Sequence, residues 1–249
     1  MMRFFENKLA GWIIFLLVII STEVWSANVD SELVNAADKG NFPLVKKILD
    51  SQRIEQEELN AAFLAAVRKG HATVIERFIQ AGVDVNLRAD DQYTPLMRSA
   101  RDGREQAVEV LLAAGADVNA PAAEDGTALM MAAEKDRRKV IDLLLAAKAD
   151  VSAKRPDGMT ALMLAAQQGY RQIIQTLINA GADVNYQLEN GATALMLAAQ
   201  HGHLSATHAL LAANANPNLK ASNGTTALSL ANRYRYREVI ELLVKAGAK

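Results

Sequence analysis

Three histidines, His201, His203 and His208, fall within eight residues, and four methionines, Met97, Met130, Met163 and Met196, recur every 33 residues. Grouped imidazoles are candidate zinc ligands. A column of thioethers could take copper(I), which soft sulfur ligands select. Neither spacing suits the chemistry. His208 is five positions beyond His203, about 140° round a helix of 3.6 residues per turn. Packed helices stand about 8–10 Å apart, too far for two thioethers to share one ion unless the side chains converge. Methionine is, by contrast, an adaptable filler between stacked helices. The methionines are therefore read as core, and metal handling is kept only as a third functional reading.

Catalysis has no better footing. No serine or carboxylate pair stands at a spacing that suggests it, and Asp84, Asp117, Asp150 and Asp183 recur at the same 33-residue period, which marks them as turn residues. The chain has no cysteine, hence no disulfide, thiolate nucleophile or cysteine metal site. A formal net charge of -1 supplies no basic face for nucleic acid and no polybasic surface for anionic lipid. The run Lys135-Asp136-Arg137-Arg138-Lys139 is basic, but it reads as a solvated turn between helices. No catalytic, cofactor-binding or metal-binding residue is assigned, and the protein is expected not to be an enzyme.

The elements behind these residues are written in the repeat. Thr94-Pro95-Leu96-Met97, Thr127-Ala128-Leu129-Met130, Thr160-Ala161-Leu162-Met163, Thr193-Ala194-Leu195-Met196 and Thr226-Ala227-Leu228-Ser229 start 33 residues apart. In the same phase run Gly82-Val-Asp-Val-Asn86, Gly115-Ala-Asp-Val-Asn119 and Gly181-Ala-Asp-Val-Asn185, with weaker copies at 148–152 and 214–218. The dipeptides Asp157-Gly158, Asn190-Gly191 and Asn223-Gly224 predict tight turns. The phase of Asn223-Gly224-Thr225 makes its glycosylation match an accident of that turn. Threonine then caps a short helix, with Pro95 at its first position. Gly70, Gly103, Gly169 and Gly202 end the first helices in a left-handed conformation. A second helix follows, such as 172–179, with Ile173, Ile174, Leu177 and Ile178 apolar.

In this order the chain resembles ankyrin repeat proteins, whose pattern is a turn, T-P-L-H-x-A-A, G-H, a leucine-rich second helix and G-A-D-V-N. The resemblance covers 31–249 as seven units: 31–55, 56–88, 89–121, 122–154, 155–187, 188–220 and 221–249. It implies an all-α solenoid of stacked helix-turn-helix units with short β-hairpin or turn loops. One such unit cannot bury its own apolar face, so neighbours stack. Arg233, Arg235, Arg237, Glu238, Glu241 and Lys245 give the last unit a polar outer surface. Methionine replaces the family's T-P-L-H histidine, while His71 and His203 hold its Gly-His slot. Asp136 and Arg235 replace glycine at first-helix ends, and Lys148 and Asn214 at second-helix ends. Asparagine and aspartate tolerate the left-handed conformation better than arginine and lysine do, and unit 122–154, with Asp136 and Lys148, is expected to be a soft point.

Ahead of the repeats, Arg3 and Lys8 precede the apolar run 9–20, and STEVWSA follows it. This is the layout of a secretory signal peptide over 1–26. Its 12 apolar residues fall short of the roughly 20 needed to span a bilayer. Val24 and Ser26 suit cleavage before Ala27; an uncleaved anchor is the alternative. Periplasmic residence is expected, with secretion or inner-membrane anchoring as alternatives, and no membrane contact after cleavage.

The resemblance implies protein partners, bound through hairpin tips and the exposed side of the first helices. Carrying the family's variable positions over gives Arg68, Lys69, Asp90, Asp91, Tyr93, Arg101, Asp102, Lys135, Gln167, Gln168, Gln200, His201, Arg233 and Tyr234, with Tyr186 near a tip. Tyrosine and arginine are the types most often found as hot spots, which puts Tyr93, Arg101, Arg233 and Tyr234 first. The function read from this is a monomeric, non-catalytic interaction scaffold of the periplasm or envelope. A secreted or anchored effector binding host proteins is the second reading.

Overall fold

The computed structural model describes residues 31–51, 53–89 and 91–249. The apolar run, the cleavage site and Asp90 lie outside them. The described residues divide into two compact units, one ending at Leu87 and one beginning at Arg88. The first contains α1 (Glu32–Asp38), α2 (Phe42–Ser51), α3 (Gln56–Lys69) and α4 (Ala72–Gln80). Here α1 packs on α3 and α2 on α4.

The second contains five helix pairs: α5 (Pro95–Asp102) with α6 (Glu105–Ala113), α7 (Ala128–Glu134) with α8 (Arg138–Ala146), α9 (Ala161–Gln168) with α10 (Arg171–Asn179), α11 (Ala194–Gln200) with α12 (Leu204–Ala212), and α13 (Ala227–Tyr234) with α14 (Arg237–Lys245). The first helices α5, α7, α9, α11 and α13 pack in sequence as one row, and the second helices as another. Among the described residues there is no β-strand, and the nearest approach is an isolated bridge between Ala122 and Gly126. No described helix is long and apolar enough to cross a membrane. The architecture is the expected all-α stack.

Side-chain size decides how closely the rows pack. Ala132, Ala133, Ala165, Ala166, Ala198 and Ala199 are all fully buried, so the first helices meet through methyl groups. Met97, Met130, Met163 and Met196 are buried beside them, filling the seam as adaptable side chains do. On the second helices Ile173, Ile174 and Leu177 are buried, while Ile178 is only half so.

Most recurrent polar residues have an internal partner, and Thr127 is the exception among the threonines. Thr94, Thr160, Thr193 and Thr226 accept from the backbone N–H three residues on, at 3.3, 3.4, 3.2 and 3.1 Å. These are N-caps, satisfying one orphan donor of each helix. The turn aspartates Asp84, Asp117, Asp150 and Asp183 each accept from the backbone N–H two residues later at 2.9 Å. In the second unit, asparagines then tie repeat to repeat: Asn119 Oδ1 accepts from Asp150 N at 2.8 Å, Asn185 from Asn216 N at 2.7 Å, and Asn218 from Lys249 N at 2.9 Å. His203 Nε2 donates to the Gln167 carbonyl at 2.9 Å. Within the first unit, His71 Nε2 does the same to Asp38 at 3.0 Å. The left-handed ends fall where expected, including the non-glycines Asp136 (φ 55°), Lys148 (65°), Asn214 (64°) and Arg235 (62°).

Candidate functional site

In the first unit the candidate residues Arg68 and Lys69 close α3, where both are exposed. Neither is free of its own chain. Arg68 lies 2.7 Å and Lys69 3.7 Å from the Asp38 carboxylate. The Arg68 hydrogen bond holds the Asp38 carboxyl below its ordinary range against a small opposing effect of burial, and the charges of Lys69 and His71 push the same way.

In the second unit the candidates gather in small local groups rather than one pocket. Tyr93 is half-buried at a hairpin tip, and its hydroxyl donates to Asp125 of the next tip. The Arg101 guanidinium sits 5.4 Å from the Tyr93 ring centroid, within cation–π range. The same side chain reaches Asp102 at 3.2 Å. Asp91 pairs with Arg98 at 2.7 Å. This gives a mixed-charge patch around one aromatic ring, and sequence reasoning missed two of its members, Arg98 and Asp125. A signal was available for Asp125, which stands where the neighbouring tips carry Gln92 and Gly158.

Further along, Lys135 is exposed and pairs with Glu134 at 3.3 Å. Gln167 is half-buried, and its carbonyl is occupied by His203, while Gln168 is exposed. Tyr186 lies beneath Lys154, whose Nζ is 4.3 Å from the ring centroid. Gln200 and Arg233 share a cleft of about 230 Å³ with Met196, Leu197 and Leu230. His201 is exposed and stacks on His203 at 5.9 Å. Tyr234, 48% exposed, stacks on Tyr236 at 6.1 Å.

Chemically, these groups can hold charged and aromatic side chains of another molecule, and Tyr234 and Arg233 are both exposed. Among the described residues, no three His, Asp or Glu side chains stand close enough to share a metal ion. The structure also places Lys154 and Arg155 beside Thr127 at the tips of units 122–154 and 155–187, lining a cleft of about 420 Å³. Sequence reasoning named none of these three as a site residue.

Comparison with known proteins agrees with the repeat geometry. A family model described as ankyrin repeats (3 copies) matches residues 33–122, 121–188 and 181–249. No curated protein matches the chain. The matched stretches span both units and include the capping threonines, left-handed helix ends and turn aspartates described above. The chain belongs to the ankyrin repeat family.

Proposed function

We propose that the protein is a non-catalytic protein–protein interaction scaffold working in the periplasm or cell envelope as a monomer. Ankyrin repeats are interaction modules, and family membership carries that much. Fold alone does not select a partner or a compartment. The observation that carries the finer reading is a division of labour among polar residues. Those that recur at the repeat period are, apart from Thr127, occupied by internal bonds, as with Thr160, Asp183 and Asn185. Those that change from unit to unit, such as Tyr93, Gln168, His201, Arg233 and Tyr234, stand at tips and first-helix ends with surface to offer.

Export is supported by the charged, apolar and small-residue layout of 1–26. In-cell crosslinking followed by mass spectrometry is the test. The scaffold reading predicts one reproducible protein partner from the envelope fraction, and recovery of abundant chaperones alone would overturn it. N-terminal sequencing of the mature protein distinguishes cleavage before Ala27 from an anchored form.

A further inference from the structure

A cleft lies between the tips of units 122–154 and 155–187, at the tip that has no side chain where the others have one. Where the other tips carry Tyr93, Met159, Ala192 and Thr225, this one carries Gly126. A Cβ at Gly126 would lie 2.8 Å from Arg155 Cγ and would also run into Met130. The Met130 sulfur and the Arg155 stem take the place of that side chain, and Arg155 walls the cleft. Its remaining lining is Pro121, Ala122, Ala123 and Pro156, with Thr127 and Lys154.

Two buried polar atoms of this lining have no hydrogen-bond partner: Thr127 Oγ1 and Arg155 Nε. Thr127 is only 6% exposed, yet it does not cap its helix as Thr160 and Thr193 do. A buried polar atom left unpaired costs about 1–3 kcal/mol, and water, an ion or a bound group can complete its bonding. Of the five such atoms among the described residues, these two share one cleft. Both atoms can donate, and Lys154 adds a second positive charge beside them. Apolar walls around two donors and two cations suit a carboxylate carried on a peptide.

We infer that this notch binds an acidic segment of the scaffold's protein partner, with one carboxylate accepting from Arg155 and Thr127. The inference rests on the interaction-scaffold reading and names the partner's chemistry. Arg155 now pairs through its terminal nitrogen with Asp157 at 2.9 Å. The incoming carboxylate exchanges with Asp157, while the prolines and alanines cover the neighbouring apolar side chains.

The test is a fluorescence-anisotropy titration of the full chain with a labelled peptide of alternating leucine and glutamate. The same peptide with lysine for glutamate serves as the control. The acidic peptide binds and the basic one does not. Arg155→Met weakens binding at least tenfold and Thr127→Val at least threefold, with unchanged circular dichroism, while Arg237→Met has no effect. Asp157→Asn, which frees Arg155 without removing it, strengthens binding. Any of four results overturns the inference: no binding of the acidic peptide, binding by either notch variant as tight as by wild type, unchanged binding by Asp157→Asn, or displacement by acetate or inorganic phosphate at the peptide's own concentration. Crosslinking separates the two readings. A partner captured equally by wild type and Arg155→Met overturns the notch alone, whereas no partner for wild type overturns the scaffold.

Discussion

Units 122–154 and 155–187 are neighbours in one stack, share the Thr-Ala-Leu-Met start, and are held in different ways. In unit 155–187 the tip turn closes by a Gly158 N–H to Arg155 carbonyl bond at 2.8 Å, and Thr160 caps α9 at 3.4 Å. Gly169 ends that helix beneath the His203 ring, Gly181 ends α10, and Asn185 bonds to Asn216 of the next unit at 2.7 Å. Unit 122–154 departs from every one of these. Its left-handed glycine is Gly126, one position later than its neighbours', and Thr127 makes no cap bond. Asp136 and Lys148 take the left-handed ends, and Ser152 replaces the asparagine and makes no rung to Asp183. Partial compensation comes from Arg138, which holds the Asp136 carboxylate at 3.0 Å. Arg138 is exposed and Asp136 half-buried, so this pair contributes little. The lesson is that a repeat keeps its helices after losing its staples, because burial of the shared apolar seam forms them. The staples set how firmly each unit is held.

The widest gap is expected at the first-helix ends. At Gly169 a Cβ would sit 2.7 Å from the His203 ring, at φ 80°. Gly169→Ala should therefore lower stability by about 2–3 kcal/mol. Asp136 already carries a Cβ in that conformation, so Asp136→Ala should stay within about 1 kcal/mol. Equal losses in chemical denaturation would break the comparison. Next come the caps. Thr160→Val should cost about 1 kcal/mol. Thr127→Val should be neutral or slightly stabilising, since it removes a buried hydroxyl that bonds to nothing.

Sequence periodicity made most of this legible. The 33-residue register placed helix pairs, capping threonines, turn aspartates and all four non-glycine left-handed ends, because each is dictated by local backbone chemistry. The failed cap at Thr127 was hidden, since Thr127-Ala128-Leu129-Met130 looks equivalent to Thr160-Ala161-Leu162-Met163. Its cause lies upstream: Gly126 is 32 residues before Gly158, whereas Gly158, Gly191 and Gly224 are 33 apart. That single-residue slip was readable, but its effect on a side chain across the turn was not. Partner residues fared similarly. Tyr93 and Arg101 could be placed at a tip and a first-helix end by register. Their engagement with each other and with Asp125 depends on how successive tips stack, as does the emergence of Arg155 beside Gly126.

Two smaller changes sharpen the contrast by repair. Ser152→Asn should restore the rung to the Asp183 N–H and raise stability by about 1 kcal/mol. The reverse change, Asn185→Ser, should lose a similar amount, and thermal melts of the pair check both signs. Lys148→Gly should gain about 0.5–1 kcal/mol by relieving a left-handed lysine at φ 65°. Gly181 has open space around its missing Cβ, so Gly181→Ala isolates the backbone conformation alone and should lose about as much.

Native-state hydrogen exchange, resolved by residue along the full chain, tests most directly whether the polar staples determine local firmness. The amides of α7 and α8 should open at measurably lower free energy than those of α9 and α10, and Ser152→Asn should narrow the difference. Equal protection of the two helix pairs in the wild-type protein would contradict the account.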